Sequence, residues 1–205
     1  MKNIKNIINS LFEEAIAEFG LNKENVHICF KTDSELCQEY LTENISNIVH
    51  QSLMDVIGGN FIVGTAWFDY NSSIYYRGGN IRIYRSKLIC KYDVILRYHD
   101  EHDISDDQFI LMLKTALRLE LGSIAHFQSL NGKSVEEYER MKRSYEEDME
   151  DFVGNLYSGG NNSRYPEGIT SYSDITSIPE WSEAIRISGI TPEEIEKYSD
   201  ILFDF

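Results

Sequence analysis

The chain has 205 residues, 42% of them hydrophobic and 26% charged, an ordinary globular composition with length enough to bury a core without covalent staples. Thirty-four acidic residues against nineteen basic ones give a formal charge of −15, which repels phosphate backbones and argues against direct nucleic-acid binding. No apolar run reaches the roughly 18 residues of a membrane-spanning helix, and the cysteines Cys29, Cys37 and Cys90 form neither a disulfide framework nor a CxxC zinc site.

Residues 4 to 19 have the apolar spacing of an amphipathic helix, ended by Gly20, with acidic residues where the apolar stretch of a signal peptide would run. VHICFK (26–31) follows as a short strand, after which Thr32, Asp33 or Ser34 is placed to cap a long helix that stops at Gly58-Gly59. The period then changes. NFIVGTAWFDY, SSIYYRGG and NIRIYRS are rich in β-branched and aromatic residues and broken by turn residues, which predicts three adjacent strands; Ile81 and Ile83 alternate with Arg82, Tyr84 and Arg85 as on a strand with one wet face. A helical region is expected from about Ser86 to Tyr98, then the charged loop HDEHDISDD.

Ser105 or Asp106 is placed to cap a helix over about 107 to 127 that is apolar nearly all round, with Lys114 and Arg118 as its only basic residues, so it is expected at the centre of the core. A charged helix over about 134 to 156 comes next. YSGGNNSRYPEG (157–168) reads as a linker, dividing a domain of residues 1–156 from an acidic C-terminal extension of residues 169–205. In that extension Thr191 and Pro192 are a helix cap and first helical residue. Trp181, Ile185, Leu202, Phe203 and Phe205 are too apolar to stay in water. They are expected to dock on another chain as its attachment element; if instead they fold back on their own domain, the binding surface is to be sought on the strands around Trp67 to Arg85.

The helix LRLELGSIAHF (117–127) is preceded by strands and followed by an acidic helix carrying YEEDMEDF, and in this order it resembles small zincin-like metallopeptidases over about residues 60 to 155. A zincin places two histidines and a glutamate as H-E-x-x-H on one helix, where the imidazoles bind zinc and the glutamate activates the metal-bound water. Carried over, the glutamate falls on Glu120, the histidines on Leu119 and Ser123, and the third ligand on Glu146 or Glu147. Leucine has no donor and a neutral serine hydroxyl is a weak ligand. The resemblance therefore implies a zincin-like α+β fold, a small mixed or antiparallel sheet packed on a buried central helix, with a degenerate site in which Glu120 is a relic and no metal or cofactor is held. The alternative for Glu120 is a partly exposed carboxylate on an apolar helix, and for Gly122 it is close packing against another element.

Other constellations are weaker. His99 and His102, beside Asp100, Glu101 and Asp103, could share a cation at a helix end, but nothing supplies a fixed third partner. His126 suits a helix C-terminus. Cys29 and His27 share a strand face without the signature of a nucleophile, and YYRGGNIRIYR is the one local basic patch. The expected function is association with other proteins by a scaffold built on a decayed metallopeptidase fold, in a multi-subunit assembly such as a phage virion or its assembly intermediates, or in the cytoplasm of a bacterial host. Two alternatives are an active metal-dependent hydrolase with an unusual site, and an acidic inhibitor that mimics nucleic acid.

Overall fold

The computed structural model describes residues 3–36, 66–137 and 179–202. Helix α1 (Ile4–Glu18) buries Ile4, Ile8, Phe12, Ala15 and Ile16, a stripe at helical spacing. It ends in a Schellman motif. Gly20 takes φ +66°, its N–H meets Ala17 O, and Leu21 N–H reaches Ile16 O at 3.0 Å. Strand β1 (Val26–Lys31) runs into a capping box, in which Thr32 N–H donates to the Glu35 carboxylate and Glu35 N–H to Thr32 Oγ1, and residues 33–36 begin a helix. The rest of the long helix expected there lies outside the described residues.

Strand β2 (Phe68–Arg77) and strand β3 (Asn80–Lys91) form a hairpin closed by Gly78 and Gly79, both at positive φ, as a two-residue type I′ turn requires. The sheet order is β1-β3-β2, with β1 parallel and β2 antiparallel to β3, so the sheet is small and mixed. Sequence reading divided β2 at Asn71-Ser72-Ser73. The strand instead runs through, because Asn71 faces outward while Ser72 Oγ meets Ser86 Oγ at 2.7 Å on the covered side.

A second difference concerns Ser86 to Lys91, expected as helix and found as the second half of β3. A bulge at Ser73/Ile74 shifts the register, so that Ile81 and Ile83 face inward before it and Ser86, Leu88 and Cys90 after it. Pairing with β1 then decides the conformation of a stretch whose apolar spacing is ambiguous. Ahead of the start of β1 opposite Ser86, the loop after the central helix covers the remaining edge of β3: Ile81 N–H donates to Lys133 O and Gly132 N–H to Ile81 O, each at 2.9 Å. Helix begins only at α2 (Tyr92–Glu101).

The central helix α3 (Asp106–Ser129) is capped by Ser105, whose side chain accepts from Gln108 N, and carries Asp106 and Asp107 at its positive end and His126 near its negative end. Three helices close the fold: α4 (Pro179–Ser188), α5 (Pro192–Lys197) and α6 (Ser199–Leu202). Thr191 and Glu194 make a complete capping box at α5, with Pro192 in its first turn.

These C-terminal helices are not a separate arm. Ile190, Ile195, Tyr198, Ile201 and Leu202 are buried in one core with α1, the sheet and α3. Trp67 N–H donates to Ile201 O at 3.0 Å, which ties α6 to the residue just before β2. Arg118 fastens three helices at once: its Nε–H donates to Ser188 O at 2.8 Å, and its two terminal nitrogens grip the Glu18 carboxylate at 2.5 and 2.8 Å. Those hydrogen bonds hold the Glu18 carboxyl below its usual range. Deleting residues 179–205 is therefore expected to remove the cooperative thermal transition of the whole chain, followed by circular dichroism. A truncated body that melts like the intact protein would mean that the segment only rests on the surface.

Candidate functional site

The turn of α3 from Leu119 to Ser123 is where a zincin would hold its metal, and here it is buried on every side. Leu119 and Leu121 are fully buried, Glu120 is 7% exposed and Ser123 5%, and Gly122 is buried with them. Glu120 is thus not the partly exposed carboxylate that one sequence reading allowed. It takes part in a polar or electrostatic interaction, as a buried carboxylate must. Ser123 donates its hydroxyl to Leu119 O at 3.4 Å, spending it on its own helix. Glu146 and Glu147, the expected third ligands, lie outside the described residues.

Gly122 is packed as tightly as its residue type suggests. A Cβ there would lie 2.4 Å from Ala184 O and 3.2 Å from Ser188 Cβ, so α4 crosses α3 at a spacing that only glycine allows. Arg118 stands one turn earlier on the same face and meets Ser188, so the pairs Arg118/Gly122 and Ser188/Ala184 run in opposite directions along the crossing.

The two histidines beside the acidic loop have separate partners. The His99 ring lies edge-on to Phe109 at 4.7 Å, with Nδ1 3.5 Å from Asp100 Oδ1. The His102 ring stacks on Tyr98 at 4.0 Å, and its Nδ1 lies 2.9 Å from Tyr98 O. A carbonyl only accepts, so that nitrogen carries the proton. Among the described residues no group of three or more His, Cys, Asp or Glu side chains is arranged to hold a metal ion.

Cys29 and His27 share the outer face of β1 as their spacing predicts, opposite Ile89 and Lys87. Cys90 faces the core, where burial pushes its thiol up to about 12 and leaves it inert. Of the apolar residues expected to bind a partner, Leu202 is 4% exposed and belongs to the chain's own core, because α5 and α6 fold back over α3, and Ile185 packs on its edge. The Trp181 side chain, Phe203 and Phe205 lie outside the described residues. Among those described, no helix is long and apolar enough to cross a membrane.

Sequence reasoning missed Trp67, which is fully buried and packs edge-on against Tyr98 at 5.1 Å and Phe109 at 5.4 Å. It noted Arg118 only as a rare cation on an apolar helix, which was the available signal for a buried clamp. Comparison with protein families, with curated proteins and with solved structures finds no match.

Two measurements test this geometry. Gly122→Ala must push α4 away from α3 and is expected to lower stability by about 1–3 kcal/mol or more in denaturant melts, whereas a change near zero would mean that the crossing is loose. Tyr98 donates to Asp200 Oδ2 at 3.1 Å, and burial, followed by the Asp200 charge and that hydrogen bond, pushes its ionisation from 10.0 up to about 12. The folded state holds this proton more tightly than the unfolded chain, so the contribution is intact below pH 10 and is lost as pH rises through about 12. Tyr98→Phe should flatten part of the alkaline loss of stability, and identical alkaline limbs for parent and variant would contradict the contact.

Proposed function

We propose that the chain is a non-catalytic scaffold that works by association with other proteins, with a zincin-like ancestry in which packing residues have replaced the metal ligands. The observation that carries this reading is the burial of five consecutive residues, Leu119 to Ser123, on α3. Five residues exceed one turn of about 3.6, so burial of all five leaves this part of the helix no face toward a substrate. The chemistry agrees. Position 119 offers only hydrocarbon, position 123 a hydroxyl already used within the helix, and the Gly122 face is filled by the backbone of α4. A hydrolytic site needs an open coordination position and room for a scissile bond beside it.

The test is metal content together with a conservative substitution. Purified protein is expected to hold zinc well below one ion per chain by mass spectrometry. Glu120→Gln should stay within about 1–2 kcal/mol of the parent in stability and should join the native assembly as the parent does. One zinc per chain, with a peptidase activity that Glu120→Gln abolishes, would overturn the reading in favour of an active hydrolase.

A further inference from the structure

We infer that the outer face of the sheet is a docking surface for an extended acidic protein segment. The inference rests on the reading of the chain as an association scaffold and names the surface and the partner's chemistry. The three strands carry six cations, Lys31, Arg77, Arg82, Arg85, Lys87 and Lys91, and a single acid, Asp69, although the whole chain stands at −15. The remainder is therefore more acidic than the total suggests, and positive charge is concentrated on one element.

Register puts most of that charge on one side. The inward positions of β3 are Ile81 and Ile83 before the bulge and Ser86, Leu88 and Cys90 after it, all buried. Arg82, Arg85 and Lys87 occupy the alternate positions, and Lys87 lies between His27 of β1 and Asn71 of β2. Arg77, Arg85 and Lys87 are exposed and Arg82 is half-buried. Lys31, Arg85 and Lys91 already have partners, and Lys91 is buried, so it adds nothing to the exposed row. Arg77, Arg82 and Lys87 form no ion pair among the described residues; of the described cations off the sheet, Lys23, Arg97, Arg118, Lys133 and Arg186 each meet a carboxylate, while Lys5, Lys114 and Lys197 do not.

Shape and screening select the occupant. The cations follow β3 from the hairpin tip, so a segment of about ten residues, extended at about 3.3 Å per residue, matches the row. At physiological salt a charge is felt over about 8 Å, so a ligand confined to the face meets the cations without feeling most of the acidic remainder. A long polyanion runs off the face onto acidic surface and is repelled, which favours a short acidic protein segment over nucleic acid.

The experiment is fluorescence anisotropy of a labelled decaglutamate peptide with the full chain at low ionic strength. Saturable binding that weakens as salt is added is expected. Arg77→Glu combined with Lys87→Glu should weaken it by about tenfold or more, and Lys87→Ala should weaken it less, with melting unchanged in both. Lys114→Glu, an exposed charge reversal on α3, should bind as the parent does. Absence of binding, or equal loss in Lys114→Glu, would overturn the proposal. So would tighter binding of a short single-stranded DNA of equal charge, or self-association by sedimentation that the sheet variants remove. Failure here with no bound zinc removes this surface and leaves the scaffold reading standing. Stoichiometric zinc and hydrolysis with peptide binding intact do the reverse.

Discussion

The crossing of α3 and α4 is the contact on which the rest of the structure depends. At Gly122 the backbone of α4 comes so close that its Ala184 carbonyl occupies the space of a side chain, and one turn away Arg118 reaches over Ser188 to Glu18. Three segments distant in sequence are thereby fixed together: the N-terminal helix, the central helix and the C-terminal helices. Because the close approach removes the room a side chain would need, the order of elements alone could not have produced it. The glycine had to stand at that turn. Arg118 adds direction, since a planar guanidinium bonded at three nitrogens permits fewer arrangements than apolar packing does.

Much of this architecture was legible because local rules and the fold agree. The helix stop at Gly20, the caps at Ser105 and Thr191 and the glycine turn of the hairpin each follow from backbone chemistry at one or two residues. The buried character of α3 was visible in its apolar circumference, and the close packing at Gly122 in the bare presence of glycine there. Ser86 to Lys91 was misread because Leu88, Ile89, Ile95 and Leu96 mimic a helical spacing. What decides them is a parallel partner sixty residues earlier together with a one-residue register shift. Neither is written in a local window.

The C-terminal segment shows a different limit. Its apolar residues announced that they must be buried, but the hydrophobic effect has no direction and does not name the surface that covers them. What binds them to this chain is specific and polar: the Ile201 carbonyl accepting from Trp67 N–H, the Asp200 carboxylate accepting from Tyr98, and the Ser188 carbonyl accepting from Arg118. Each joins residues far apart in sequence, and of the three donors only Arg118, a lone cation on an apolar helix, carried a local sign of its role. The candidate site was legible in part for a related reason. The residue types at positions 119 and 123 argued against zinc directly, while the sealing of that turn required knowing where α4 lies.

That sealing also bears on where a partner can be met. Around α3, the sheet covers one side, α1 another, and the C-terminal helices the crossing at Gly122, so the central helix has little apolar surface left to offer an outside molecule. The inner face of the sheet is consumed in the same way. Among the described residues the outer face remains open around Arg77, Arg85 and Lys87, and its composition is unlike that of the rest of the chain: cations recur along β3 beside the exposed Asn71 of β2 and the half-buried His27 and Cys29 of β1. A strand needs only one apolar face to be held in a fold. The other is free to vary, and on an acidic protein a row of lysine and arginine there adds no packing to the core beneath. What Arg77, Arg82 and Lys87 leave there, without an ion pair among the described residues, is positive charge that the sheet's single acid, Asp69, does not balance.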